Sequence, residues 1–274
     1  MACPHGGSIH AHYDGIKENI EQIGSGKNSR AIIVGDIVDG MPHDDPRYIP
    51  GEQEVDGDRK VEKSILRCYN DMAKMFMPIR NKILCAFAGN HDYRSMKWGD
   101  CVKDIFCERL GIPYGTTAGK IIVNDEKTGK LQYKIFAYHP FTGSIGSTHS
   151  DPIMREATET SQMKRKLVQQ GMGDCLLQVV AHFHNGKIAP PFQGLYLVDD
   201  GTNIKQKYHK EADPRAQYIP ENQRWYASLP GYQKKHIMGK SGYVERAGYG
   251  PVELGCIRAF VVAGKITHMD KVLV

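Results

Sequence analysis

The sequence predicts an α/β protein, in which helices and strands alternate along the chain. Two short apolar runs, at 31–34 and 83–88, each end in a glycine turn that is followed by polar side chains. Apolar runs of this length, bounded by turn residues, are typical of buried strands. Segments with helical spacing precede both runs. With 274 residues, 41% of them hydrophobic, the chain is long enough to bury a large core of this class.

The first half of the chain alternates helix and strand. Residues 14–23 carry isoleucines at helical spacing behind an Asp that can cap a helix, and 31–34 follow as a strand. Residues 61–79 return to helical periodicity and lead into strand 83–88. The polar stretch 40–60, rich in Gly and Pro, predicts a long loop beside the first glycine turn. Long loops in compact domains are usually functional or mobile.

The same alternation continues after residue 99. We expect a helix over 100–110, a hairpin of strands 119–124 and 131–138, a polar helix over 151–171 and a strand over 175–181. The second strand of the hairpin runs into His139, and the last strand leads to His182 and His184. Both strands therefore end at residues that can bind metal.

We divide the chain into a core at 1–200, an excursion at 201–245 and a closing segment at 246–274. The excursion is rich in Tyr, Pro and charge, which is typical of a cap over a site, and the closing segment contains strands that would complete the core. The stretch 205–235, with its lysines, arginines and Trp225, could stack bases and contact phosphates. Packing of a cap would explain it equally well.

Composition excludes several classes of protein. The seven cysteines are scattered without a C-x-x-C pair, which fits reduced thiols and argues against disulfides or a conventional structural zinc site. No apolar run approaches the roughly 18 residues of a membrane span, and no signal peptide is evident at the N-terminus. A net charge of +5 weakly favours acidic partners, and no motif indicates sequence-specific DNA reading. We expect a cytoplasmic protein with no membrane partner.

Side chains that can bind metal follow four of the predicted strands. The two glycine turns are GDIVDG at 35–40 and GNHD at 89–92, and open α/β sheets bind their ligands at such strand ends. A hydrolytic site with two metals needs a carboxylate that can bridge the ions, neutral imidazoles and a carbonyl oxygen. The chain offers these groups at Asp36, Asn90, His139, His182 and His184.

The order of these motifs resembles that of the calcineurin-like metallophosphoesterases, which runs D-x-H, G-D-x-x-D, G-N-H-D/E, H and G-H-x-H. Four of the five blocks match in order within residues 5–190, as GDIVDG, GNHD, the histidine of YHP and AHFH at 181–184. The resemblance, to prokaryotic and phage-type members above all, implies a four-layer α/β/β/α sandwich with mixed sheets. It also implies two divalent metal ions at the sheet ends, and the host cytoplasm as location if a phage encodes the chain.

The resemblance assigns ligands to the two ions. Asp36 would bridge them, and His184 would hold the first ion. The second ion would be held by Asn90, His139 and His182.

Further roles follow from the GNHD block. By resemblance, His91 would lie beside the phosphate and stabilise the transition state or protonate the leaving alkoxide, and Asp92 would orient His91. Arg94 could donate its planar fork to a substrate phosphate, and a surface arginine is the equal alternative. Asp39 is expected to support the turn rather than bind metal. A solvated loop is expected to hold His43, Asp44 and Asp45.

The first block departs from the family pattern. His5 matches the motif histidine and is a candidate ligand, with His10 and His12 as competitors, but Cys3 stands where the Asp of D-x-H belongs. A thiolate can bind zinc or iron. Because only two residues precede Cys3, either the chain begins inside a longer protein or this strand and its carboxylate are missing. In both cases the first ion would be weakly held.

We therefore predict a metal-dependent phosphoesterase whose substrates are phosphodiesters, nucleotides or nucleic acid among them, hydrolysed by a water that two metals activate. Mn²⁺ is the first expectation, and Fe, Zn, Ni or Co suit the same ligands. One alternative is a phosphomonoesterase or protein phosphatase. Another is a non-catalytic phosphate-binding module that has lost its first metal site. The sequence carries no signal of a particular oligomeric state.

Overall fold

The computed structural model describes residues 1–41, 45, 48 and 61–274. Most of the loop expected over 40–60, including His43 and Asp44, lies outside these residues. The helices are α1 (Tyr13–Ser25), α2 (Val61–Phe76), α3 (Asn90–Arg94), α4 (Glu108–Leu110), α5 (Pro152–Val168) and α6 (Tyr243–Arg246). Shorter helical turns occupy Met77–Lys82, Ser95–Trp98, Val102–Cys107 and Glu221–Gln223.

The strands are β1 (Ala31–Val34), β2 (Ile83–Phe87), β3 (Ala118–Asn124), β4 (Leu131–Tyr138), β5 (Leu177–Val180), β6 (Lys187–Ala189), β7 (Leu195–Asp199), β8 (Ile204–Tyr208), β9 (Trp225–Ser228), β10 (His236–Ile237), β11 (Lys240–Ser241), β12 (Gly255–Val262) and β13 (Lys265–Leu273). These confirm the helices expected over 14–23, 61–79, 100–110 and 151–171 and the strands expected in between.

Two sheets contribute the strands that carry the candidate ligands. In one, β1 pairs with β2 in parallel. The other has five strands in the order β3-β4-β5-β9-β6, of which β4, β5 and β9 are parallel and the two outer strands antiparallel. The α/β class with mixed sheets is therefore confirmed.

The first residues of the chain run alongside β1. The N–H of Val34 donates to the carbonyl of Met1 at 3.0 Å, and the N–H of Cys3 donates to the carbonyl of Gly35 at 3.0 Å. The direction is parallel, with bridges from Ala2 and, further on, from Gly6. This segment thus places Cys3 beside Gly35, just beyond the end of β1.

Three hydrophobic clusters cover the faces of these sheets. The first packs α1, α2 and the turn Val102–Cys107 on one face of β1 and β2. The second joins the other face of β1 and β2 to β4, β5 and β9, and it includes Ile266 and Met269 of the β12–β13 hairpin. The third packs α5 on the remaining face of β4, β5 and β9. Side chains alternate between faces along a strand, so in β4 Ile135 belongs to the second cluster and Phe136 to the third.

The segment 201–245 does not behave as one excursion. Its first residues complete the β7–β8 hairpin, in which β8 is exposed throughout. Its later residues include β9, which lies between β5 and β6 in the five-stranded sheet. Trp225 is half-buried and packs against the second cluster. The prediction of a cap over 201–245 is therefore wrong for β9, which lies within the five-stranded sheet.

Among the described residues, no helix combines the length and apolar character needed to cross a membrane.

Candidate metal centre

The candidate ligands lie just beyond the carboxyl ends of four strands. Asp36 follows β1, Asn90 follows β2, His139 follows β4, and His182 and His184 follow β5. The residues paired with β1 add Cys3 and His5. Both His5 and His139 are fully buried, as is Asp36.

The donor atoms form three groups, of which the first two share one carboxylate. The first group consists of Cys3, His5, Asp36 and His184, and the second contains Asp36, His139 and His182. The third consists of His5, Asp39 and His91. Within each group, one donor atom from every residue lies within 4.8 Å of the others. Asn90 adjoins the second group, because its Oδ1 lies 2.9 Å from His182 Nδ1. The structure thus brings together every residue that the sequence predicted as a ligand.

Individual distances fit a shared ion. The Nε2 atoms of His5 and His184 lie 3.2 Å apart, and two nitrogens bound to one tetrahedral metal at about 2.0–2.1 Å would lie roughly 3.3 Å apart. His139 Nε2 lies 3.2 Å from Asp36 Oδ2. Imidazole, carboxylate, amide and thiol donors are all types that divalent transition metals accept. The residues present therefore fit one or more metal ions.

All four members of the first group have left-handed backbone. The φ angles are 49° for Cys3, 52° for His5, 48° for Asp36 and 50° for His184. His182 of the second group follows at 80°. Residues other than glycine rarely adopt this region, and those that do cluster at functional sites.

Two glycines allow the strand ends to approach one another. A Cβ added to Gly89 would lie 2.2 Å from Asp36 Oδ1, and one added to Gly35 would lie 2.1 Å from the His139 ring. Neither contact is sterically possible. The glycine that opens each motif is therefore required by the packing of the ligand side chains.

Neighbouring charges shift the pKa values of residues in the donor groups. Burial would raise the pKa of Asp36, but the neighbouring charge of His139 and of His91 holds it well below its usual range. Burial would likewise raise the pKa of Cys3, and His184 and His139 hold it low. Burial and the charge of His139 lower the pKa of His182 to about 4.

Burial would lower the pKa of His5 and of His139, but Asp39 raises the pKa of His5 to about 10, and Asp36 holds the pKa of His139 well above its usual range. Without metal, His182 is therefore neutral, whereas His5 and His139 carry protons that a bound ion would displace.

The carboxylate that contacts His91 is Asp39, which corrects the expectation that Asp92 orients this ring. His91 Nδ1 lies 2.5 Å from Asp39 Oδ1. The backbone N–H of His91 donates to Asp36 Oδ1 at 2.8 Å. The motif spacing alone does not favour Asp39 over Asp92 as this partner, because Asp39 lies 52 residues before His91 in the other glycine turn.

Asp92 holds the two glycine turns together instead. Its carboxylate accepts the backbone N–H groups of Gly89 at 2.8 Å and of Ile37 and Val38 at 3.1 Å each. It also accepts the Tyr69 hydroxyl at 2.8 Å. Burial and the charge of Asp36 raise the pKa of Asp92 to about 6. This carboxylate is anchored away from the His91 ring.

The remaining candidates lie around the centre. Arg94 Nε lies 3.4 Å from Asp45 Oδ2, and both side chains are largely buried, so Asp45 is an ion-pair partner and not a solvated loop residue. His10 and His12 belong to none of the three donor groups. Sequence reasoning overlooked an exposed aromatic pair, Tyr93 and Phe141, whose ring centroids lie 5.1 Å apart beside the GNHD and YHP turns.

A scan of the chain against models of known protein families gives no match, and a search of curated proteins gives none either.

Proposed function

We propose that the protein is a metal-dependent phosphoesterase of the calcineurin-like type, acting on phosphodiesters such as nucleotides or nucleic acid. The observation that carries this proposal is the pair of donor groups that share Asp36. A single carboxylate between two sets of histidines is the arrangement that a site for two adjacent ions needs. The matching order of the sequence motifs supports the same reading.

The packing supports the four-layer sandwich of this proposal. The three hydrophobic clusters alternate with the two sheets, with α1 and α2 on one outer side and α5 on the other. In this arrangement both sheets would direct strand ends toward the same edge, where the two donor groups meet.

The proposed ligand assignment follows the two groups. His5, Asp36 and His184 would hold one ion, and Asp36, Asn90, His139 and His182 would hold the other. When bound, such ions would neutralise charge on the phosphate and activate a water for in-line attack on phosphorus.

His91 would act on the leaving group. Its Nδ1 is engaged by Asp39, so Nε2 is the ring nitrogen that would donate a proton to the departing oxygen. The hydrogen bond from the His91 backbone to Asp36 fixes this ring beside the shared carboxylate. Asp39 would keep the tautomer and orientation that this donation requires.

An aromatic surface near the centre supports a substrate that carries a base. Tyr93 lies two residues beyond His91, and Phe141 lies two residues beyond His139. Both rings are exposed and in contact with each other. Exposed aromatic rings stack on nucleobases without regard to their sequence.

Hydrolysis of bis-p-nitrophenyl phosphate and of p-nitrophenyl phosphate, with Mn²⁺, Zn²⁺, Fe²⁺, Co²⁺ or Ni²⁺, tests this function. We expect turnover of the diester to exceed that of the monoester. Faster monoester turnover would indicate the phosphomonoesterase or protein phosphatase alternative. No turnover of either compound with any metal would contradict the proposal and favour the non-catalytic binding module.

His91→Ala tests the division between ligands and the proton donor. We expect this variant to lose turnover and keep its bound metal, whereas Asp36→Asn should lose both. The exposed His149→Ala serves as a control that should change neither. Loss of metal from His91→Ala would contradict the role assigned to this ring.

A further inference from the structure

We propose that Cys3 is a thiolate ligand in the first group and that this group therefore selects a thiophilic ion, Zn²⁺ before Fe²⁺, over Mn²⁺. The proposal rests on the function proposed above, since it concerns one ion of the same centre. It replaces the Mn²⁺ expected from the sequence with a centre whose two groups differ in chemistry.

The position of Cys3 is the first support. Its side chain is fully buried, yet its Sγ lies 3.6 Å from His139 Nε2. It belongs to the same donor set as His5, Asp36 and His184, within 4.8 Å. The sulfur thus occupies a place among ligands that the family pattern gives to a carboxylate.

The backbone around Cys3 is held from two sides. Its N–H donates to the carbonyl of Gly35 at 3.0 Å, and its carbonyl accepts the N–H of Tyr232 at 3.1 Å. Next to Tyr232, a Cβ added to Gly231 would lie 3.0 Å from the His184 ring and 3.3 Å from Cys3 Cβ. Chain segments on both sides therefore fix the sulfur against the ligand imidazoles, and this preorganisation favours coordination.

Cys3 also shares the backbone conformation of the other members of its group. Its φ of 49° lies within a few degrees of the angles of His5, Asp36 and His184. Glycine would adopt this region without strain. The strained conformation is thus combined with a side chain that points its donor into the group.

The types of donor atom determine which metal ion the first group prefers. With Cys3, the first group offers one sulfur, two imidazoles and one oxygen of the shared carboxylate, which are donor types that Zn²⁺ accepts while it can still expand to five-coordinate and bind a water. A thiolate and a carboxylate together balance the charge of a divalent ion. The second group offers only nitrogen and oxygen donors. Soft thiolate ligands select against Mn²⁺, which prefers oxygen donors.

Reconstitution with Co²⁺ tests the proposal without any measurement of activity. Cobalt bound at the centre gives ligand-field bands in the visible region, and a cobalt–thiolate bond adds charge-transfer absorption in the near ultraviolet. We expect both in the wild-type protein. Cys3→Ser should keep the ligand-field bands and lose the charge transfer, whereas Cys175→Ser, which removes a buried thiol outside the centre, should keep both.

Cys3→Asp restores the carboxylate of the family pattern and gives a second readout if the serine variant does not fold. We expect it to lower the ratio of Zn²⁺ to Mn²⁺ affinity by roughly 10-fold or more, measured by competition and elemental analysis. Ligand-field bands with no charge transfer in the wild type, or charge transfer retained in Cys3→Ser, would overturn the role of Cys3 alone. No cobalt binding by the wild type would overturn the metal centre itself.

Discussion

Left-handed backbone is concentrated at the side chains that converge in the centre. Such a conformation costs on the order of 1–3 kcal/mol for each residue that is not glycine, and all four members of the first group adopt it. The surrounding core must offset this cost. The left-handed conformation directs each side chain away from the end of its strand at an angle that regular strand backbone does not allow.

The separate tasks of Asp39 and Asp92 lead to a prediction with two variants. Asp39→Asn should lower kcat by roughly 10–100-fold and cost less stability than Asp92→Ala, because it removes the negative charge beside His91 Nδ1 but keeps the side-chain volume and an acceptor oxygen. Asp92→Ala should lower the free energy of unfolding by about 2 kcal/mol or more, because it leaves three buried backbone N–H groups without an acceptor. Steady-state kinetics and urea denaturation measure the two effects.

Equal loss of stability in the two variants would contradict this division of roles. So would an Asp92→Ala protein that keeps full stability and loses only turnover.

Ligand residues could be predicted from the sequence where a motif identifies them. Roles that depend on a tertiary contact could not. Asp36 and Asn90 follow from their places after apolar runs, and the structure brings them to the donor groups. The partner of His91 could not be read in the same way, because Asp92 is its neighbour in the chain whereas Asp39 lies 52 residues earlier in the other glycine turn. Only the path of the backbone shows that Asp92 faces the amides of the glycine turns.

Among the elements, the strands that lead to ligands are the ones that the sequence predicts best. β1, β2 and β5 are short and mostly apolar, β4 ends in the run Ile135–Tyr138, and a candidate ligand follows each strand within three residues. β9 escaped prediction because Trp225–Ser228 is a four-residue strand inside a stretch rich in Tyr, Pro and charge. Its burial comes from parallel pairing with β5, which is a long-range contact that local composition does not encode.

The Asp174 carboxylate, just before β5, ties that strand to the β3–β4 hairpin. It lies 2.7 Å from Lys120 Nζ of β3 and 2.7 Å from Lys134 Nζ of β4. Burial would raise its pKa, but hydrogen bonds from the two lysines lower the pKa to about 2. The pKa of an Asp side chain in an unfolded chain is about 3.9.

Asp174→Asn should therefore destabilise the protein at neutral pH and progressively less in acid. The folded-state pKa is the lower one, so the stabilisation is fully present above about pH 4 and is lost as the pH falls toward about 2. We expect a difference on the order of 1 kcal/mol at pH 6, from urea denaturation at pH 6 and pH 3. Glu126→Gln, in the exposed turn of the same hairpin, is the control. A difference that grows on acidification would refute this ion-pair account.

At the scale of the whole molecule, the centre gathers distant parts of the chain. The first group alone joins residues near positions 3, 36 and 184, and the second adds 139. These residues belong to both sheets and to the segment paired with β1. Metal ions bound here would cross-link segments that are otherwise held together by the second hydrophobic cluster.

Metal should accordingly raise the thermal stability of the protein. An ion at 100 times its Kd adds about 2.7 kcal/mol, which for a chain of this size corresponds to an increase in Tm of roughly 5–10 °C. Differential scanning calorimetry before and after treatment with a chelator, and again after metal is restored, measures this. Asp36→Asn should show no metal-dependent shift, and an equal shift in that variant would place the ions elsewhere.

Asp36 belongs to the first and second donor groups, and this makes the occupancies of these two groups interdependent. An ion in one group fixes the carboxylate that the other group uses, while its charge repels a second ion. Whichever effect is larger sets the sign of the cooperativity, and reciprocity requires each ion to change the affinity for the other by the same factor. A substitution at Cys3 would thus alter the binding isotherm of the group to which it contributes no donor.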